Sequence, residues 1–192
     1  GKTESGTIWL DKTKTSPYSF YQFWLNTEDK DVYNMLRYYS FLSCDEIAAL
    51  EQADRNSGSK PQAQRILAEQ VTRFVHGEAG LQSAERITKV LFSGHAMHLS
   101  LAELQQLELD ALQGIETSSN LTLTELMQRS CFVTSKSKAR DLLNSNAIRV
   151  NGTLLQQDIL ISEIKPLHQQ FWLLQRGQKQ FCLVKHLPGA DD

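Results

Sequence analysis

Cysteine is scarce in this sequence, and its scarcity excludes several kinds of site. The 192 residues include three cysteines, Cys44, Cys131 and Cys182, which are isolated and odd in number. They fit reduced thiols better than a disulfide framework or a metal site. The histidines also do not suggest a metal site. His95 and His98 are three residues apart, but no other type of ligand residue accompanies them. We therefore predict no bound metal.

Long apolar runs and a secretion signal are also missing. No run approaches the roughly 18 apolar residues of a membrane span. No basic segment followed by an apolar one marks a leader peptide. We expect a cytoplasmic protein without a membrane partner.

The formal net charge of −2 at pH 7 argues by itself against nucleic-acid binding. The charges are unevenly distributed, however. Residues 121–192 carry nine Lys or Arg and six Asp or Glu, a balance of +3, whereas residues 1–120 carry eleven and sixteen, a balance of −5. This asymmetry predicts two modules with different roles.

The first module is predicted to be helical. Ser16 begins a helix with Pro17 at its first position, and the aromatic side chains clustered in its first turns are expected to belong to a core. The capping box from Ser43 to Glu46 begins another helix, and Gly77 and Gly94 end two more. Before them, Thr7 to Leu10 resembles a strand. The helices after the one that starts at Ser16 are predicted over 29–39, 43–54, 61–77 and 80–92.

After Gly94 the periodic pattern weakens. Ser100 to Glu103 predicts the start of a short acidic helix. Residues 114–120 have the composition of a linker.

The last module is predicted to contain two small helices followed by hairpins. The capping box from Thr122 to Glu125 starts the first helix, and the Ser135 hydroxyl caps the second. Asn146 suits the left-handed end of that helix. Asn151-Gly152 is a strong hairpin signal, and a second hairpin surrounds Arg176 to Lys179.

The second helix carries a basic ridge, formed by Lys136, Lys138 and Arg140. Cations at a helix start make a phosphate-binding surface. A solvated helix face is the alternative explanation of the same charges. Arg176 and Lys179 extend the surface only if the second hairpin folds back over the first.

The order Ser135-Lys136-x-x-Ala139-Arg140, then two leucines, then Ile148-x-Val150-Asn151-Gly152, resembles a small RNA-binding module of ribosomal proteins. That family usually has Arg at position 136 and Gly at position 146. The resemblance implies an α+β module that binds RNA. With the second hairpin added, the expected RNA-binding residues are Ser135, Lys136, Lys138, Arg140, Asn144, Arg149, Asn151, Arg176 and Lys179.

A longer resemblance covers nearly the whole chain. Gly-Lys-Thr-Glu-Ser-Gly (1–6), Lys-Thr-Ser-Pro-Tyr (14–18), Phe-Tyr-Gln-Phe-Trp-Leu-Asn-Thr (20–27) and residues 68–77 resemble bacterial-type tyrosyl-tRNA synthetases. In that family the corresponding segment runs from the KMSKS-type loop into the anticodon-binding helical domain. Lys2 matches the second lysine of that loop and Thr3 the residue after it. The resemblance implies that the intact enzyme activates tyrosine with ATP and transfers it to tRNA(Tyr). It also implies a catalytic role for Lys2 and Thr3, with Lys2 contacting ATP.

The resemblance implies a C-terminal fragment that binds tRNA but lacks the nucleotide-binding domain and is inactive alone. We expect a lead-in at 1–15, an anticodon-binding domain at 16–94, a linker with a short helix at 95–120 and an RNA-binding domain at 121–192. The intact enzyme would be a homodimer through the missing domain, and the fragment a monomer. A stand-alone RNA-binding protein is the alternative, and a small ATPase using Gly1-Lys2-Thr3 is a weaker one because the P-loop pattern is incomplete.

Overall fold

The computed structural model describes residues 7–57, 61–110, 115–117, 121–177 and 180–187. Seven α-helices and five strands occur in these ranges, so the fold class is α+β, as predicted. The chain divides into two compact units, residues 1–86 and 87–192. The predicted site residues Lys2, Thr3 and Lys179 lie outside the described residues.

The first unit is helical. Ser16 and Ser43 cap its first and third helices, and Glu46 completes the predicted capping box with Ser43. The helices are α1 Pro17–Leu25, α2 Val32–Tyr39, α3 Cys44–Asn56 and α4 Ala63–Ser93, whose last turns belong to the second unit. One core cluster contains the fully buried side chains of Phe20, Val32, Leu36, Ile47 and Leu67.

A buried carboxylate joins three elements of this unit. Asp54, near the end of α3, accepts hydrogen bonds from the backbone amides of Gln62 and Ala63, at 2.9 and 3.1 Å. The Tyr33 hydroxyl of α2 donates to the same carboxylate at 3.1 Å. An anion at a helix start satisfies free amides and matches the helix dipole, so Asp54 fixes the first turn of α4. Burial, and then the bond to Asp54, raise the pKa of Tyr33 to about 12.

Gly77 bends α4 with a φ of 72°, in agreement with its predicted role as a helix-ending residue, but the helix resumes at once. The imidazole of His76, just before the bend, lies edge-on to Phe20 with ring centroids 4.8 Å apart. Its buried Nε2 has no hydrogen-bond partner in the described part of the chain. His76 is therefore a packing residue.

The expectation of a strand over Thr7 to Leu10 was wrong. The Trp9 amide donates to the Thr15 hydroxyl at 3.0 Å, and the Lys14 ammonium lies 4.4 Å from the centre of the Trp9 ring. These local bonds hold residues 7–15 in a turn that has no neighbouring strand among the described residues.

The second unit is a mixed sheet with helices. Its elements are α5 Leu101–Leu109, β1 Ile115–Thr117, α6 Leu123–Arg129, α7 Lys136–Asn144, β2 Ile148–Val150, β3 Thr153–Leu154, β4 Phe171–Arg176 and β5 Gln180–His186. The sheet order is β1-β5-β4-β2-β3, with β1 parallel to β5 and the other pairs antiparallel. Both predicted hairpins are confirmed, and so are the capping boxes at Ser100 and Thr122 and the left-handed Asn146.

The two faces of this sheet carry different layers, because successive strand residues point to opposite sides. Ile148, Val150, Trp172, Leu174 and Cys182 pack with the apolar residues of α6 and α7 in one core cluster. The intervening residues, among them Leu173 and Leu183, are buried on the opposite face.

Phe92 and helix α5 contribute to that opposite face. The Phe92 ring contacts the Phe181 ring of β5, and Lys185 of β5 pairs with Glu108 of α5 at 2.7 Å. Leu104 and Leu107 are fully buried. Composition predicted a linker at residues 115–117, but these residues form strand β1. They pair with β5, about seventy positions later in the chain, and no local sequence pattern indicates so distant a contact.

The turn between β2 and β3 is in tight backbone contact with residues 94–96. Asn151 and Gly152 both have positive φ, 51° and 86°. A Cβ on Gly152 would lie 2.2 Å from the carbonyl oxygen of Gly94. Only glycine fits there, since the conformation and the contact both exclude a side chain.

We expect Gly152→Ala to lower the free energy of unfolding by more than Gly177→Ala. Gly177 also has positive φ, 60°, but nothing lies within 4 Å of a Cβ there. It should therefore show only the conformational cost, roughly 1–2 kcal/mol, whereas Gly152→Ala adds a collision with fixed backbone. Urea unfolding followed by circular dichroism measures both. Equal costs would show that the contact with Gly94 is loose.

We expect acid to destabilise the first unit through His76. Burial, and to a lesser degree the charge of Lys12, lower the pKa of His76 below its usual 6.5. Folding therefore favours the neutral ring. This contribution is complete above the unfolded pKa and is lost as pH falls through the folded pKa.

Urea unfolding of the natural chain and of His76→Leu between about pH 7.5 and 5 tests this. The natural chain should lose more stability on acidification than the variant does. Parallel pH profiles would contradict the buried neutral ring.

Candidate nucleic-acid interface

The start of α7 presents the basic ridge to solvent. The Ser135 hydroxyl accepts a hydrogen bond from the Lys138 amide at 3.3 Å, which confirms the predicted cap. Ala139 and Leu143 are buried against the sheet and Leu142 packs partly against the same core, so the other positions of α7 face outward. Lys136, Lys138 and Arg140 are all exposed. The ridge thus surrounds a helix start, where free amides favour an anion.

One cation of the ridge has an acidic neighbour. The Lys136 ammonium lies 3.8 Å from Glu125 of α6. The Glu125 carboxylate accepts hydrogen bonds from the Thr122 amide and hydroxyl, and these bonds lower its pKa most. The charge of Lys136 lowers this pKa further. Because the lysine is largely exposed, this ion pair is weak and leaves Lys136 available to a phosphate.

Arg176 joins the ridge through the sheet. It pairs with Ile148 in the register of β2 and β4, so its side chain lies on the face that carries α6 and α7. Its guanidinium donates a hydrogen bond to the carbonyl of Phe132, in the loop between those helices. Arg176 and Lys138 line one groove of about 570 Å³. The second hairpin lies beside the first in the same sheet rather than folded back over it, and Arg176 nevertheless lies on the face of α7.

Arg149 lies elsewhere. Its neighbours Ile148 and Val150 point into the core under α6 and α7, so Arg149 points to the opposite face. There its guanidinium donates to the carbonyl of Gly152 at 3.1 Å. The structure thus separates Arg149 from the ridge with which the sequence grouped it.

The two asparagines of the predicted site differ in their surroundings. Asn144 is exposed at the end of α7. Asn151 is 5% exposed, and its side chain accepts from the Leu173 amide at 2.9 Å and donates to the Lys165 carbonyl at 3.1 Å. Its backbone amide also donates to the carbonyl of Leu173. Asn151 therefore has a structural role in joining β2 to β4.

The described part of the chain offers little support for a metal site, a cysteine nucleophile or a membrane-spanning helix. No group of three or more His, Cys, Asp or Glu side chains there could hold a metal ion. Burial raises the pKa of the Cys182 thiol to about 11, so this cysteine is a core residue and not a nucleophile. None of the described helices combines the length and the apolar character needed to span a membrane.

Comparison with known proteins assigns both units. Residues 1–93 match the family model of class I tRNA synthetases for tryptophan and tyrosine. Residues 103–184 match the model of the C-terminal domain of SYY-like tyrosine–tRNA ligases. Both parts of the chain are thus similar to tyrosyl-tRNA synthetases. The second match places it in the C-terminal part of such proteins.

The curated relatives agree. The chain is 60% identical over 185 residues to tyrosine–tRNA ligase 1 of Vibrio parahaemolyticus and 55% identical over 186 residues to that of Pseudoalteromonas translucida. It is 48% identical over 185 residues to tyrosine–tRNA ligase of Escherichia coli. Each alignment covers 96% of this chain and 44% of the relative. The chain thus spans less than half the length of the relatives it matches.

Sequence reasoning missed the surroundings of Arg149. The alternation of Ile148, Arg149 and Val150 did contain the signal, since it places the arginine opposite two apolar residues. What the sequence lacks is any sign that residues 92–98 lie beside that face.

We expect Asn151→Ala to destabilise the second unit by roughly 2–4 kcal/mol, because each buried group left unpaired costs about 1–3 kcal/mol. Asn144→Ala removes the same side chain from an exposed position and should change stability by less than about 0.5 kcal/mol. Urea unfolding of both variants measures the difference. Similar values would show that the Asn151 bonds are dispensable.

Proposed function

We propose that this chain is the tRNA-binding portion of a tyrosine–tRNA ligase that activates tyrosine with ATP and transfers it to tRNA(Tyr). The observation that carries the proposal is the convergence of Lys138 and Arg176 in one groove beside the capped start of α7. Two cations from separate elements, next to free helix amides, suit a phosphate backbone. The family assignment supports tRNA as the RNA.

The two units are proposed to bind different parts of the tRNA. Residues 16–94 would form the anticodon-binding domain, and residues 121–192 the small RNA-binding domain, which would contact the long variable arm. Residues 95–120 would join them. The separate family models for residues 1–93 and 103–184 support this division.

The catalytic proposal concerns the longer protein. Lys2, followed by Thr3, would stabilise negative charge that develops on the ATP phosphates, as preorganised cations do. The chain alone would bind tRNA without making tyrosyl-adenylate, and the longer protein would dimerise through its other domain. The match of residues 1–93 to the class I synthetase model supports this assignment.

Replacing Lys136, Lys138 and Arg140 together with alanine tests the interface. We expect weaker tRNA(Tyr) binding and a salt dependence flatter by roughly 0.7–0.9 unit of log K per log salt for each phosphate that the variant no longer binds. Filter binding over a range of salt concentrations measures both quantities. Circular dichroism should not change, because the three side chains are exposed.

Asp141→Asn is the matched control on the same helix. Asp141 lines the groove together with Lys138 and Arg176, so removing its exposed negative charge should leave tRNA affinity equal or higher. If the triple variant binds tRNA with the affinity and salt dependence of the natural chain, the ridge is only a solvated helix face.

A further inference from the structure

A second cavity of the same unit lies on the other face of the sheet from the ridge. Its volume is about 420 Å³, and it is bordered by residues 92–98, by Arg149 of β2 and by the Asn151–Gly152 turn. Gln175, the neighbour of Arg149 on β4, also lines it. The tight contact of Gly152 with Gly94 fixes the relative positions of the turn and residues 94–96.

The cavity is suited to an anion. His95, His98 and Arg149 line it, and no carboxylate occurs among the described residues of its lining. The Arg149 guanidinium bonds to the Gly152 carbonyl with one of its nitrogens, which positions the charge at the cavity. Arginine has five N–H donors, so others can bind an oxyanion.

A hydrogen bond orients one of the two histidines of the lining. His95 and His98 are exposed, with ring centroids 5.8 Å apart. The Nδ1 atom of His95 lies 3.0 Å from the Ser93 hydroxyl oxygen. The Ser93 hydroxyl donates its proton to the Val90 carbonyl at 3.1 Å, so it accepts from Nδ1–H, and Nε2 of the neutral ring is left as an acceptor for an N–H group of a base.

The cavity also has an apolar wall. Phe92 is 49% exposed and Met97 is 68% exposed, and both line the cavity beside the histidines. Exposed aromatic and imidazole rings next to cations are the features on which proteins stack unpaired bases while holding the adjoining phosphate. A free phosphate ion would use the cations but not this wall.

We propose that His95, His98 and Arg149 form a second RNA-binding site, which takes one unpaired nucleotide with its phosphate at Arg149 and its base against Phe92. The site lies across the sheet from the ridge and binds RNA independently of it. The proposal rests on the proposed function only in taking RNA as the ligand.

Amide NMR of the whole chain, titrated with a short single-stranded oligouridylate, tests the site. Saturable shifts of the Gly94 and Gly152 amides are expected. Arg149→Gln combined with His95→Ala should weaken the binding measured there by at least about tenfold, because the charge-assisted hydrogen bonds from the guanidinium to the phosphate are lost. Lys165→Gln removes an exposed cation elsewhere in this unit and should not weaken it.

The ridge variant separates the two proposals. It should keep the shifts at Gly94 and Gly152, and RNA shifts confined to residues 135–140 would overturn the second site while leaving the proposed function intact. Loss of tRNA binding in the ridge variant alone, with the glycine shifts retained, supports both sites. Equal saturation by inorganic phosphate at matched ionic strength would overturn RNA as the ligand.

Discussion

The second unit depends on the turn at Asn151 and Gly152. One side chain, that of Asn151, bonds to Leu173 in β4 and to Lys165 in the preceding loop. The next residue presses its backbone against Gly94. Because a side chain at position 152 would collide with that carbonyl, only glycine allows the two backbones to meet. The position of His95 beside Arg149 follows from this contact.

The first unit has a comparable constraint in Asp54. A carboxylate that is 9% exposed is costly unless it is hydrogen-bonded, and here the amides at the start of α4 and the Tyr33 hydroxyl satisfy it. The same bonds set the direction in which α4 leaves α3. The bend at Gly77 then lets His76 pack against Phe20. These polar and aromatic contacts fix the arrangement of helices that apolar burial alone would leave variable.

The cations of the second unit explain how a chain with a net charge of −2 can have surfaces suited to RNA. Electrostatic attraction between exposed charges is screened over about 8–10 Å in physiological salt, so local clusters matter more than the total. Lys138 and Arg176 meet on one face of the sheet, and Arg149 lies on the other. Such an arrangement allows one small unit to contact an RNA from two sides.

The sequence by itself determined the local features. Capping boxes at Ser43, Ser100 and Thr122, the cap at Ser135, the left-handed Asn146 and both hairpins were predicted and confirmed, because each depends on bonds between residues a few positions apart. The resemblance to tyrosyl-tRNA synthetases was likewise contained in the residues themselves.

Only the tertiary structure decided the rest. The three residues of β1 are too few for a periodic signal, and their partner is far along the chain. The burial of Asn151 and the separation of Arg149 from the ridge likewise depend on what lies beside each residue. Residue type and spacing specify which donors and charges a chain carries. Strand register and packing specify which of them face the same ligand, since one strand directs neighbouring side chains to opposite sides.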